Sequence, residues 1–189
     1  MSIIDAIKAR SSNGIMTDAA VSPEKIKQLL DAAVCTPVHH NTKPWRFLVI
    51  QGAGRQLLSD IMVQYYDKIR PDSEEPKAIA LRDKLSKKPF RSPIIIAVAA
   101  AKPEGEKAIM RENVASVIAA CQNILLAAPE LGLSAFWRTG SFMYEPDTVS
   151  ALGFEEGAKL VGLMYLGHPK REMQPKARET SDGYVRWLD

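Results

Sequence analysis

The chain is 189 residues long and 46% hydrophobic, enough apolar sequence for one substantial core, so we predict a single domain over residues 1–189. Its 25 basic and 22 acidic residues give a net charge of +3 and are mixed along the chain, which argues against a nucleic-acid partner. The first residues lack the apolar core of a signal peptide, no uncharged run reaches the roughly 20 residues of a membrane span, and Cys35 and Cys121 lie far apart, so we expect a cytoplasmic protein without a membrane partner.

The first half of the chain predicts four helices and one strand. A short helix over 2–9 carries isoleucines at helical spacing and ends in a polar turn. Ser22-Pro23-Glu24 is typical of a helix start, and Pro37 ends that second helix. A buried strand is predicted over 47–50, followed by helices over 55–70 and 77–87.

The second half predicts three more strands. The run over 93–100 is typical of a central strand buried on both faces, and shorter apolar runs at 133–137 and 160–166 predict two others. Helices are predicted over 111–131, with a kink or an end at Pro129, and over 147–152. Tyr184, Val185 and Trp187 in the tail suggest an edge strand or an arm. Four buried strands connected through helices indicate a three-layer α/β or α+β domain.

The predicted helix over 111–131 is apolar nearly all the way round. One face carries Val114, Val117, Ile118, Cys121, Ile124, Leu125 and Ala128, and alanines and a leucine cover most of the remainder. A helix of this kind must be buried on nearly every side, and the sheet can cover one side only. We therefore expect a second subunit to cover the other side.

Residues for metal or nucleophilic chemistry form no convincing pattern. Three histidines and two cysteines show no metal-ligand spacing. Cys35 falls in the last turn of a predicted helix, whose negative end disfavours a reactive thiolate. We predict no metal site and nominate no catalytic side chain.

Four polar segments lie at the ends of predicted elements: residues 10–12, 39–41 and 137–140, and the basic tail with Lys176 and Arg178. Taken singly, each is more typical of a solvated turn. Together they would suit a planar anionic ligand held by several backbone segments, because the arginine fork matches a phosphate or a ring carbonyl.

Motifs in these segments resemble the FMN-dependent nitroreductase family, in particular its compact bacterial subgroup. The resemblance rests on four motifs in order: ARS at 9–11, TPVHHNTKPWRF at 36–47, LGLSAFWRTG at 131–140 and GHP at 167–169. They span essentially the whole chain. Departures are Ala9 in place of a first arginine, Lys43 where glutamine is usual, and Val38-His39-His40 in place of a serine-rich version.

The resemblance implies a nitroreductase-like α+β fold, a three-layer α/β/α arrangement around a central mixed, mostly antiparallel sheet. Alternating strands and helices alone would suggest parallel pairing. It also implies a homodimer with FMN between the subunits, reduced by NADH or NADPH and reoxidised by a small-molecule electron acceptor such as a nitroaromatic or quinone.

The resemblance also assigns cofactor-binding residues. Ala9, Arg10 and Ser11 would hold the phosphate and ribityl side, and Lys176 and Arg178 would complete the phosphate pocket. Trp137, Arg138 and Thr139 would lie along the isoalloxazine. His39 and Asn41, with the backbone near Cys35, would approach it from the partner subunit. Two alternatives stay open: a flavin-binding or sensing protein with little turnover, and a same-fold enzyme such as a dehalogenase or a desaturating oxidase.

Overall fold

A computed structural model describes residues 2–71, 75–171, 173 and 177–188. Its six α-helices are α1 (Ile3–Ala9), α2 (Pro23–Ala33), α3 (Gly54–Ile69), α4 (Pro76–Ser86), α5 (Met110–Ala127) and α6 (Pro146–Ala151). The four strands are β1 (Trp45–Gln51), β2 (Ile94–Ala100), β3 (Ser134–Arg138) and β4 (Lys159–Gly167). Short 3-10 turns occupy His39–Asn41, Lys88–Arg91, Pro129–Leu131, Ser141–Tyr144 and Asp182–Tyr184.

The sheet has the strand order β1-β2-β4-β3, and all three pairings are antiparallel. The antiparallel character is confirmed, but a mixed sheet is wrong for the described strands, because none of them pairs in parallel. The connection between β1 and β2 explains why: α3 and α4 form an antiparallel pair, in which Ser59 bonds Ser86 and Tyr66 bonds Ala78. The chain therefore returns to the end of the sheet that it left.

The single helix α5 connects β2 to β3. These two strands run in the same direction, as the alternation of strands and helices along the sequence suggests. They are not neighbours, however, because β4 lies between them and is antiparallel to both. Sequence periodicity does not reveal that the last strand is inserted there. A register shift beside Val98 adds one extra residue to β4 at this point, which is a β-bulge.

Helices cover both faces of the sheet and form the three predicted layers. On one face α2 and α5 pack against alternate residues of β2 and β4, including Ile96 and Met164. On the other face α3, α6 and the turn Ser141–Tyr144 pack against the intervening residues, including Ile95 and Tyr165. Every residue of β2 is buried, as expected for a central strand.

Helix ends follow local rules in most places. Ser2 and Asp5 form a reciprocal capping box on α1, and the Ser22 hydroxyl accepts from the Lys25 N–H at the start of α2. The helix predicted to continue to residue 131 ends at Ala127, because Pro129 has no N–H to donate. In the described part of the tail, residues 177–188, a 3-10 turn at Asp182–Tyr184 replaces the suggested edge strand, and Tyr184 and Trp187 are exposed.

Two apolar surfaces remain open in a single chain. All of α1 is outside the core, with Ile3 78%, Ile4 63% and Ile7 49% exposed. On α5, Ile118 was predicted to lie on one apolar face with Val114 and Val117, but it is 44% exposed at the flank of that face, where it borders a cavity with Trp137. The span Met110–Leu131 is apolar and long enough to cross a membrane by length and composition, a test that the core helix of a soluble protein also passes.

Candidate functional site

The residues after α1 line a cavity at the carboxyl end of α5. This cavity, which we call the α1 cavity, has a volume of about 500 Å³ and is bordered by Ala9, Arg10, Ser11, Asn13, Leu126, Glu130, Ser134 and Met173, among others. The Arg10 guanidinium contacts the Ser12 hydroxyl at 3.4 Å and forms no ion pair within the described chain. Three of the predicted cofactor-binding residues, Ala9, Arg10 and Ser11, therefore lie together.

Buried Asn13 fixes this segment against the sheet. Its side-chain amide donates to Ser134 Oγ and to the Arg171 carbonyl, each at 3.1 Å, and its Oδ1 accepts from the Ile15 N–H at 3.0 Å. Because both the nitrogen and the oxygen of this buried amide are hydrogen-bonded, the backbone around Asn13 is held in one conformation. Asn13 thus positions Arg10 and Ser11 beside the start of β3.

Arg178 brings the tail to the end of α1, next to the cavity-lining residue Arg10. Its guanidinium donates to the Lys8 carbonyl at 3.4 Å and to the Arg10 carbonyl. Both carbonyls lie at the end of α1, where backbone acceptors lack helical partners and attract a cation. Arg178 therefore lies beside Arg10, whereas Lys176 lies outside the described residues, and the phosphate role of both tail residues stays a prediction.

Arg138 and Thr139 border a different cavity, between α3, α4 and the end of β3. The α3–α4 cavity, as we call it, has a volume of about 330 Å³. The Arg138 guanidinium lies 4.7 Å from the centre of the Phe136 ring and 5.1 Å from that of Tyr165. Both distances are typical of cation–π contacts. Lys88 borders the same cavity, and burial lowers its pKa, with further lowering by the positive charge of Arg138.

Trp137 points to the opposite face of the sheet from Arg138, because side chains alternate along a strand. Its ring packs in the core beneath α5 and borders a third cavity of about 650 Å³. The buried Nε1 has no hydrogen-bond partner among the described residues, and it lies over Gly162 of β4. The structure therefore does not bring the Trp137 side chain together with Arg138 and Thr139.

The loop before β1 has a strained backbone and is fixed by a hydrogen bond to Asn113. His40, Asn41 and Lys43 have φ values of 50°, 54° and 46°, a region that residues with a Cβ seldom adopt. The Thr42 hydroxyl donates to Asn113 Oδ1 at 2.9 Å, and the Asn113 amide donates to the Ala101 carbonyl at 3.2 Å. Strain held by a buried polar contact is common at functional sites.

Within one chain, the predicted site residues are spread over several places: apart from Trp137 and the α3–α4 cavity with Arg138 and Thr139, two groups lie at opposite ends of α5. Arg10 and Ser11 lie at the carboxyl end of α5, beside Leu126, whereas His39 and Asn41 lie at its amino end, beside Asn113. Asn113 and Leu126 are 13 residues apart on this helix, which is about 20 Å along its axis, so the two groups are well separated within a single chain.

The thiols give no further chemistry. Cys35 is exposed just beyond α2, and its Sγ contacts the Asp31 carbonyl at 3.2 Å. Cys121 is buried in α5, and burial raises its pKa to about 12, which keeps the thiol protonated at neutral pH. Within the described ranges, no three His, Cys, Asp or Glu side chains are grouped as metal ligands.

Sequence reasoning missed Asn13, Asn113, Lys88 and Tyr165. Asn13 and Asn113 lie beside the ends of predicted elements, and the sequence there does not distinguish a buried asparagine from a solvated one. Lys88 lies in a basic run just before β2, and that position was a usable signal. Tyr165 lies inside an apolar strand and reads as a core residue.

Comparisons with known proteins agree on one family. The Nitroreductase family model matches residues 7–168. A protein of Escherichia coli (strain K12) named "Putative NAD(P)H nitroreductase YdjA" is 33% identical over 170 residues, which cover 90% of each chain.

Solved structures show the same fold. The nitroreductase-like family protein from Bacillus cereus superposes with a TM-score of 0.85 at 26% identity, covering 100% of this chain and 97% of that one. A nitroreductase with bound FMN from Bacteroides fragilis has a TM-score of 0.72 at 18% identity, with complete coverage of both chains. At 18% identity, the similarity to this second structure establishes only the fold.

Proposed function

This chain belongs to the nitroreductase family, and from that premise we propose that it is a cytoplasmic FMN-dependent oxidoreductase that uses NADH or NADPH. Nitroaromatics, quinones or similar small molecules would accept the electrons in a ping-pong reaction. We further propose that the protein is a homodimer and that each FMN is held by residues of both subunits.

The separation of the two residue groups along α5 is the observation that carries this proposal. Two copies that pack α5 against α5 in antiparallel fashion would place the His39–Asn41 turn of one copy beside Arg10 of the other. A two-fold axis would create two such sites. The exposed side chains of Ile118 and of Ile3, Ile4 and Ile7 provide apolar area for that contact, and fully burying one isoleucine is worth about 1.5–3 kcal/mol.

The residues of the α1 cavity fit the phosphate and ribityl chain of FMN. Arg10 forms no ion pair with a carboxylate of the described chain, which leaves its fork free for a phosphate. The Ser11 hydroxyl lies beside it, and a volume of about 500 Å³ is in the usual range for ligand sites.

The flavin would supply hydride transfer, and the protein residues would bind and orient it. Arg138, fixed on the rings of Phe136 and Tyr165, would place positive charge at the pyrimidine edge of the isoalloxazine. Thr139 would orient that edge through its backbone. From the partner, His39 and Asn41 would border the opposite side and limit the entry of water.

Spectroscopy under argon tests the assignment. We expect the purified protein to be yellow and its absorbance near 450 nm to bleach with NADH or NADPH and return with nitrofurazone or a quinone. Bound flavin that neither nicotinamide reduces would favour the flavin-binding or sensing protein. A preparation that stays colourless after incubation with excess FMN would contradict both.

Replacing Arg10 with alanine should weaken FMN binding about 10- to 150-fold, because a charge-assisted hydrogen bond contributes about 1.5–3 kcal/mol. Equilibrium titration of the apoprotein, followed by flavin fluorescence, measures the change. Lys8→Ala is the matched control, since Lys8 is exposed on the same helix and does not line the α1 cavity. Unchanged affinity in Arg10→Ala would remove Arg10 from the site.

A further inference from the structure

The His39–Asn41 turn and the residues that follow it have an unfavourable backbone conformation. His40, Asn41 and Lys43 all have positive φ values, and Lys43 also precedes a proline, which favours extended backbone. All three residues of the turn are exposed, and its two backbone hydrogen bonds are long, at 3.3 Å and 3.5 Å. Such a conformation persists only where the neighbouring structure fixes it.

Three hydrogen bonds connect this segment to the core through Thr42, which lies between the left-handed residues. The Thr42 hydroxyl donates to Asn113 Oδ1 at 2.9 Å, and the Asn113 amide donates to the Ala101 carbonyl at 3.2 Å. The Ala101 N–H in turn donates to the Pro44 carbonyl at 2.7 Å. Asn113 is 2% exposed and the Pro44 side chain is fully buried, so both ends of the segment around Lys43 are fixed.

The direction of the bond between Thr42 and Asn113 follows from the other partner of Asn113. A backbone carbonyl only accepts hydrogen bonds, so the Asn113 amide nitrogen faces Ala101 and Oδ1 faces Thr42. The Thr42 hydroxyl is therefore the donor. Serine at position 42 can donate the same bond, whereas valine has nearly the same shape as threonine and cannot.

Asn113 links the turn to the helix that faces the second copy in the proposed dimer. It lies near the amino end of α5, on the same helix as Ile118. The bond from Thr42 to Asn113 therefore sets the position of the His39–Asn41 turn relative to the surface on which the proposed function places the partner subunit.

We propose that Thr42 is a positioning residue, which acts through Asn113 to hold the His39–Asn41 turn in the conformation that borders the FMN of the partner subunit. This inference rests on the proposed function. Without the bond, the exposed turn relaxes toward ordinary backbone conformations, and His39 and Asn41 leave their places beside the flavin. The fold of the subunit does not depend on this bond.

The variants Thr42→Val and Thr42→Ser separate the hydroxyl from the shape of the side chain. We expect Thr42→Val to weaken FMN binding about 2- to 10-fold, the range for loss of one neutral hydrogen bond, and Thr42→Ser to bind FMN like the wild type. The visible circular dichroism of bound flavin should change only in Thr42→Val, because this signal depends on the groups around the isoalloxazine. Thr17→Val is the matched control, since the buried Thr17 hydroxyl has no hydrogen-bond partner among the described residues.

Two further measurements test the route through Asn113. In the apoprotein, the backbone amides of residues 38–43 should exchange hydrogen faster in Thr42→Val than in the wild type or in Thr42→Ser. Asn113→Ala should weaken FMN binding at least as much as Thr42→Val, and adding Thr42→Val to it should have little further effect, as for two residues that act through one bond.

Wild-type FMN affinity in Thr42→Val would overturn this inference and leave the proposed function intact, even if the Tm of the variant fell. Hydrogen exchange in residues 38–43 that is the same in all the variants would also overturn it, as would a Thr42→Ser variant that binds FMN as weakly as Thr42→Val. A wild-type protein that binds no FMN would instead overturn the proposed function, and the inference with it.

Discussion

Replacing Ile118 with glutamate is expected to give a monomer that has lost its flavin. Ile118 lies on the uncovered face of α5, and in a two-fold dimer each contact would bury two added carboxylates without partners. An unpaired buried charge costs several kcal/mol, more than an interface of this kind can tolerate. Analytical ultracentrifugation at micromolar concentration, read at 280 nm and 450 nm, reports mass and bound flavin together.

Leu57→Glu is the matched control for this variant. Leu57 is 48% exposed, close to the 44% of Ile118, but it lies on α3 in the opposite helical layer. We expect this variant to remain dimeric and yellow. A wild-type chain that sediments as a flavin-bound monomer would contradict the shared site directly, and so would an Ile118→Glu variant that keeps both dimer and flavin.

Replacing Gly162 with alanine is expected to be the most destabilising single methyl addition in the sheet. A Cβ at this position would lie 2.1 Å from Nε1 of Trp137 and 2.7 Å from Cδ1, far inside contact distance. The indole packs between β4 and the α5 layer, so the added methyl forces it to shift toward the cavity that it borders and to lose its packing on the core. Overpacking of this kind costs about 1–3 kcal/mol or more, which corresponds to a fall in Tm of roughly 2–12 °C.

Gly54→Ala is the control, because the added Cβ would meet only Ile50 Cγ2, at an ordinary 3.6 Å. Gly54 begins α3, so alanine there should be neutral or slightly stabilising. In a Trp137→Leu background, Gly162→Ala should lower the Tm much less than it does in the wild type, because the ring that clashes is gone. A Tm for Gly162→Ala within one degree of wild type would show that the indole adapts without cost.

Sequence patterns predicted the elements of this fold better than their arrangement. Caps and prolines located most helix ends, and the apolar run at 93–100 correctly indicated a strand buried on both faces. Strand order depends on where each connection returns, and the position of β4 between β2 and β3 has no local signal. The antiparallel sheet followed from the family resemblance, because alternation of strands and helices favours parallel pairing.

The candidate site shows a similar division. Arg10 and Arg178 lie together, while the roles predicted for them and for the His39–Asn41 turn stay predictions. The motif around Trp137 and Arg138 did not reveal that adjacent strand residues face opposite layers. Lys88 was missed because a lysine beside other lysines is usually solvated, and only the folded chain shows it against Arg138.

Subunit complementation tests the shared site most directly. Arg10→Glu should remove the phosphate contact, and His39→Ala with Asn41→Gly should remove the partner contacts while glycine keeps the loop geometry at a φ of 54°. Each variant alone should fail to retain FMN. Refolded together in equal amounts, half of the dimers are mixed and each mixed dimer has one intact site, so bound FMN should return to roughly a quarter of the wild-type level. No recovery after mixing, with mixed dimers verified by mass, would place both groups of residues in the same subunit and contradict the account.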